Sequence, residues 1–147
     1  MLLKKLIRYI PKDKKNIIIS GISTDSKKIK KNYIFFAIRG KKFNGEKFIK
    51  EAVYNGASVV VCSKSCKIKN NSILIIKTNK IRHLLSDIAS KFYKSKPENI
   101  IAVTGTNGKT SVSDMFYQIL RINNIRVASI GTLGIKYNDK IIKTSLT

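Results

Sequence analysis

The sequence predicts an α/β fold, and two observations carry that prediction. Short β-rich runs alternate with helical patterns along the chain, and one apolar run passes through a glycine-rich turn straight into an amphipathic helix. The β-rich runs fall at residues 17–19, 33–38, 58–62, 72–76, 100–104 and 126–130. Residues 46–55 place Phe48, Ile49, Ala52 and Val53 on one helical face and stop before Gly56, a residue suited to a helix C-terminus. Residues 81–94 set Ile81, Leu84, Leu85, Ile88 and Phe92 at helical spacing, and 111–123 do the same with Val112, Met115, Phe116, Ile119 and Leu120. The alternation predicts largely parallel strands in the second half, with a hairpin near Asn138-Asp139.

Lys94-Ser95-Lys96-Pro97-Glu98 marks the domain boundary, because proline ends the preceding helix and an apolar run follows at once. Residues 1–96 are expected to form a complete small α/β domain. Residues 97–147 supply roughly fifty residues, against the two- to threefold larger size of an ordinary doubly wound nucleotide-binding domain, and read as its incomplete first part.

The hydrophobic fraction of 43% is sufficient for a packed core and argues against global disorder. No apolar run reaches the roughly eighteen residues that a membrane helix needs, and Met1-Leu2-Leu3-Lys4-Lys5 begins too interrupted an apolar stretch for a secretory signal. A cytoplasmic protein without a membrane partner is expected. Cys62 and Cys66 stand without further cysteines and with His83 as the single histidine, so both read as reduced thiols rather than zinc ligands. The net charge of +22 comes from lysines scattered as pairs along the chain rather than from one tract. It predicts a lysine-rich enzyme surface that binds nucleic acid only non-specifically, at low salt.

The strongest chemical signal is Ile100-Ile101-Ala102-Val103-Thr104-Gly105-Thr106-Asn107-Gly108-Lys109-Thr110-Ser111. Strand, glycine turn, Lys-Thr-Ser and helix follow in the order that a phosphate-binding loop requires. Gly105 and Gly108 allow a tight turn and close approach of backbone to phosphate oxygens. The loop N–H groups and the helix dipole favour an anion, Lys109 is suited to the β- and γ-phosphates, and the Thr110 hydroxyl to Mg²⁺. The general pattern has glycine where this chain has Val103. ATP with Mg²⁺ is the expected ligand, held by Gly105, Thr106, Asn107, Gly108, Lys109, Thr110 and Ser111.

Thr104-Gly105-Thr106-Asn107-Gly108-Lys109-Thr110 resembles the form of this loop in the Mur ligases and the related folylpolyglutamate synthetases. The first domain separates the two. Gly21-Ile22-Ser23-Thr24-Asp25-Ser26-Lys27, Ile34-Phe35-Phe36-Ala37-Ile38-Arg39-Gly40 and Asn44-Gly45-Glu46-Lys47-Phe48-Ile49 resemble consecutive Mur ligase segments that folylpolyglutamate synthetases lack. Ser129-Ile130-Gly131-Thr132-Leu133-Gly134 resembles the member that adds the third residue of the stem peptide, and Thr144-Ser145-Leu146-Thr147 the start of its Leu-Thr-Thr-Pro substrate loop. The member that adds D-Ala-D-Ala is the nearest alternative. Lys27 replaces the family's usual arginine, keeping the charge without the planar fork, and Asn44 replaces an aspartate while keeping the turn preference.

The resemblance implies a small N-terminal domain that binds the UDP-substrate and the first part of a P-loop-type central ATP-binding domain, truncated. It implies an ATP-dependent ligase joining meso-diaminopimelate or L-lysine to UDP-MurNAc-L-Ala-D-Glu through an acyl phosphate, in peptidoglycan synthesis. Lys109 then stabilises the phosphates, Thr110 holds Mg²⁺, and Thr24, Ser26, Lys41, Lys42, Phe43 and Thr147 contact the UDP-MurNAc-dipeptide. The 147 residues alone are expected to be inactive, either as a truncated ligase or as one part of a split ligase whose rest a separate polypeptide supplies. The competing expectation is a non-catalytic nucleotide- or nucleic-acid-binding relic.

Overall fold

A computed structural model describes residues 1–40, 43–138 and 140–143, which divide into two compact units, Met1–Lys96 and Pro97–Thr147.

The first unit is built on a four-stranded parallel sheet in the order β1-β2-β3-β4, with β1 at Gly21–Ser23, β2 at Tyr33–Phe36, β3 at Ala57–Cys62 and β4 at Leu74–Lys77. Both faces of a parallel sheet are normally covered, and the period-two alternation of the central strands delivers two cores. Ile34, Phe36, Val59 and Val61 turn to one face, where they pack with Leu3, Leu6, Ile81 and Ile88 from helices α1 (Leu3–Leu6) and α3 (Ile81–Phe92). Phe35, Val60 and Cys62 turn to the other, against Ile49 and Ala52 of α2 (Ile49–Tyr54). The lysine-rich surface does not interrupt this pattern, since the apolar residues of β2 and β3 alternate without a charge between them.

Boundaries differ from the sequence expectation in instructive places. The helix expected over 46–55 begins as a 3-10 turn, Gly45–Phe48, because Asn44 caps it by accepting the Glu46 N–H at 3.1 Å; the α-helix proper starts at Ile49. Residues 17–19 are not a strand. They run beside the N-terminal segment with a single antiparallel bridge, Leu2 to Ile18, and Ile19 exchanges hydrogen bonds with Met1. The short strand Gly21–Ser23 has too little apolar sequence to announce itself and is held by its register against β2.

The second unit overturns the expectation of parallel strands. Helix α4 (Lys109–Ile122) is followed by β5 (Ala128–Gly131), β6 (Gly134–Tyr137) and β7 (Lys140–Ile142), which pair antiparallel in sequential order. Two-residue connections favour this meander: Gly131 pairs with Gly134 across Thr132-Leu133, and Asn138 takes a left-handed φ of 46°. Asp139 lies outside the described residues. Helix α4 ends where Asn124 adopts φ 58° and donates to the Arg121 carbonyl at 3.0 Å. The strand expected over 100–104 does not form: these residues have no strand partner among the described residues, and Ile100 and Ile101 are 82% and 64% exposed. An apolar run becomes a strand only when a neighbour completes its hydrogen bonds, and no described strand pairs with residues 100–104.

Candidate functional site

In the second unit the turn between residue 104 and α4 has the backbone that a phosphate loop needs. Gly105 sits at φ 150° and Gly108 at φ 75°, conformations that a side chain at Cβ resists. A Cβ added at Gly108 would meet nothing within 4 Å, so the glycine is there for its dihedral and not for packing. Gly108 is the N-cap of α4 and supplies no side-chain cap; the first helical hydrogen bond runs from Val112 N–H to Gly108 C=O at 2.9 Å. The N–H groups of Lys109, Thr110 and Ser111 therefore lie in the uncapped first turn of a fourteen-residue helix, where the dipole favours negative charge.

Lys109 folds back over this turn. Its Nζ donates to the carbonyl of Gly105 and, at 2.9 Å, to that of Thr106. Three donors on an ammonium leave one uncommitted, and the two carbonyl bonds are the kind that a phosphate oxygen displaces. The Thr110 hydroxyl lies on the exposed side, 3.4 Å from the Thr132 hydroxyl, and Ser113 and Ser129 hydroxyls are 2.9 Å apart. These pairs tie the start of α4 to β5 and its turn. One helix turn onward, the Asp114 carboxylate accepts from Lys136 and from Gln118, and Lys136 before Gln118 holds its pKa below the ordinary value.

Of the residues expected to contact the UDP-substrate, Thr24, Ser26 and Phe43 are described in the first unit, after β1 and after β2. Thr24 is exposed. Asp25 caps a 3-10 turn, Ser26–Lys28, by accepting the Lys27 N–H at 3.0 Å. Ser26 is buried, and its hydroxyl donates to Glu51 of α2 at 2.6 Å while its carbonyl accepts from Asn55 at 3.0 Å. Its hydroxyl proton is thus committed to holding this turn on α2. Phe43 is 75% exposed, beyond a close turn in which Gly40 N–H donates to the Phe43 carbonyl at 2.8 Å and Arg39 bridges Asn44. Lys41, Lys42 and Thr147 lie outside the described residues.

Sequence reasoning did not single out Glu46 and Glu51. Glu46 accepts from both the N–H and the hydroxyl of Ser63, at 3.1 and 2.5 Å, joining the 3-10 turn before α2 to the end of β3. A surface-type residue at helical spacing gives no hint of such a partner. Both cysteines are free and buried; burial first, then contact with Cys66, pushes the Cys62 thiol up to about 12. Among the described residues no group of three or more His, Cys, Asp and Glu side chains is arranged to hold a metal. No described helix is long and apolar enough to cross a membrane.

Comparison with known proteins places this geometry. Residues 18–93 match the model described as Mur ligase family, catalytic domain, and residues 103–147 that of the Mur ligase middle domain. The chain belongs to the Mur ligase family. It is 39% identical over 150 residues to UDP-N-acetylmuramoyl-L-alanyl-D-glutamate--2,6-diaminopimelate ligase 2 of Clostridium acetobutylicum, covering 97% of this chain and 31% of that protein. The ligase of the same name from Fusobacterium nucleatum is 40% identical over 95% of this chain and 28% of its own length. A solved 2,6-diaminopimelate ligase structure superposes with a TM-score of 0.75 at 25% identity, over 96% of this chain and 29% of that one. A MurF ligase from Thermotoga maritima in complex with ADP gives 0.56 at 28% identity, over 71% and 23%. This Mur ligase chain spans about a third of the length of the curated relatives it matches.

Proposed function

We infer that these residues supply the UDP-substrate and ATP-phosphate portions of a ligase that adds meso-diaminopimelate to UDP-MurNAc-L-Ala-D-Glu. The observation that carries the reading is the likeness along nearly the whole chain to ligases of that name, at 35–40% identity in the first three, together with a glycine loop whose backbone suits phosphate. The higher TM-score and coverage with the diaminopimelate ligase favour it over the D-alanyl-D-alanine-adding enzyme.

The loop fits ATP: open space at Gly108, uncapped N–H groups at the start of α4, and an ammonium within reach. Bound there with Mg²⁺, ATP supplies the phosphoryl group that activates the substrate carboxylate. The chain's own part is positioning and charge. Lys109 exchanges its loop carbonyls for phosphate oxygens, the backbone from Gly105 to Ser111 orients the anion, and Thr110 presents its hydroxyl to the metal. Thr24, Ser26, Lys41, Lys42 and Phe43 orient the UDP end, and Thr147 the muramyl-peptide.

Thermal unfolding of the 147-residue chain with Mg·ATP and, separately, with UDP-MurNAc-L-Ala-D-Glu tests this. Each ligand is expected to raise Tm, and Lys109→Ala to abolish the ATP shift while leaving the other. Neither ligand moving Tm sinks the reading. The same 147 residues are expected to release no ADP when both ligands and diaminopimelate are present.

A further inference from the structure

The turn that carries Ser26 is held from outside by helix α2. Glu51 lies within that helix and Asn55 is its C-cap, so the two stand one helical turn apart and share a face. Both reach the turn at Ser26–Lys28. The Ser26 carbonyl accepts from Asn55 Nδ2 at 3.0 Å and from the Ile29 N–H at 3.3 Å, which commits both its lone pairs. Just before the turn, the Ser23 hydroxyl donates to the Asp25 carbonyl at 3.0 Å and accepts the Asp25 N–H at 2.9 Å.

The bond to Glu51 fixes more than position. A carboxylate only accepts, so across the 2.6 Å contact the Ser26 hydroxyl is the donor. A serine oxygen carries one proton and two lone pairs. With the proton given to Glu51, only lone pairs remain for a ligand. Ser26 is 6% exposed, which leaves room for a single partner. The ionised oxygens of a diphosphate are acceptors and find no donor in this hydroxyl. The donors of a UDP group are the imide N–H of uracil and the hydroxyls of ribose.

We propose that Glu51 and Asn55 are positioning residues for substrate recognition. They hold Ser26 with its Oγ as an obligate acceptor, which selects an N–H or O–H donor of the nucleoside over a phosphate oxygen. This selection rests on the reading that Ser26 meets the UDP end, and says how that contact is made and what fixes it.

The test is calorimetric titration of the 147-residue chain with UDP-MurNAc-L-Ala-D-Glu, and with UDP, 3-methyl-UDP, 2′-deoxy-UDP and 3′-deoxy-UDP. Physiological salt screens the diffuse charge of +22. Glu51→Met removes the acceptor at similar length and is expected to weaken UDP-MurNAc-L-Ala-D-Glu about tenfold. Glu51→Gln, whose amide oxygen still takes the Ser26 proton, is expected to stay within about threefold of the unaltered chain, and Asn55→Leu to fall between the two. One analogue is expected to bind the unaltered chain about three- to tenfold more weakly than UDP. A weaker 3-methyl-UDP assigns the donor to the uracil imide, and a weaker deoxy analogue to that ribose hydroxyl. Glu51→Met and Ser26→Ala are each expected to erase the difference, which a loss of stability alone would not do. Unchanged Tm without ligand shows that a variant is folded; should Glu51→Met fail to fold, the same comparison is read in Ser26→Ala and Asn55→Leu. Glu51→Met binding the substrate as tightly as the unaltered chain, or no analogue weaker than UDP, overturns the proposal and leaves the ligase reading standing. No binding of UDP-MurNAc-L-Ala-D-Glu by the unaltered chain sinks that reading and the proposal with it.

Discussion

The two units answer the same sequence signal differently. In the first, the apolar run of β2 lies between β1 and β3, and Ile34, Phe35 and Phe36 are fully buried. In the second, the apolar run at 100–104 precedes an equally amphipathic helix, yet Ile100, Ile101 and Val103 are exposed, as are Val112, Met115, Phe116 and Ile119 of α4. The difference lies in strand partners. A parallel strand needs neighbours brought by crossover connections, and the first unit has four such strands in one sheet. The second spends its strands on an antiparallel meander, and the only hydrophobic side chain it buries among the described residues is Tyr117. Hydrophobicity sets what a segment is capable of; neighbours decide whether it is realised.

The sharpest way to break this comparison is truncation in each unit. Phe35→Ala is expected to cost about 3–5 kcal/mol, read from the protection of β2 and β3 amides against hydrogen exchange under urea. Ile101→Ala is expected to stay within about 0.5 kcal/mol. Equal costs would mean that residues 100–104 are packed after all.

The next effect is chemical. With Cys62 pushed up to about 12 and both thiols buried, neither is expected to be alkylated at pH 8 on the time in which the urea-unfolded chain labels fully. Labelling of the native chain at the unfolded rate would show that the first core opens freely.

Smaller again is Ser26→Ala, which strips the hydroxyl from Glu51 and is expected to cost the first unit about 1–2 kcal/mol. Unchanged stability with weakened UDP-substrate affinity would instead give the hydroxyl to the ligand.

The smallest effect belongs to the second unit. Asp114 has its pKa lowered from 3.8, Lys136 being the main cause, so the contribution of that pair is present above that value and fades as pH falls through the depressed one. Asp114→Asn is expected to flatten the acid limb of the second unit's stability slightly, and an unchanged limb would mean that the pair is screened to nothing.

Much of this was legible in one dimension. The apolar runs at 33–38 and 58–62 announced strands of an α/β domain, because they alternate with helical patterns along the chain. Thr104-Gly105-Thr106-Asn107-Gly108-Lys109-Thr110 announced a tight turn before a helix, and the positive φ at both glycines agrees. The run at 17–19 misled, since three isoleucines look like a strand whether or not a ladder exists. The hydrogen bonds of Ser26 to Glu51 and Ser63 to Glu46 had no sequence signal, as their partners lie 25 and 17 positions away.

The sequence by itself determined the local facts: which residues are apolar at strand or helix spacing, where glycine frees the backbone, where proline marks a boundary, and which family the ordered motifs resemble. Those follow from dihedral preference and periodicity within a few residues. Only the tertiary structure decided which strands pair and in what sense, and which carboxylates hold which serines. Each of these is a meeting of residues distant along the chain, settled by the hydrogen bonds and packing of the whole fold.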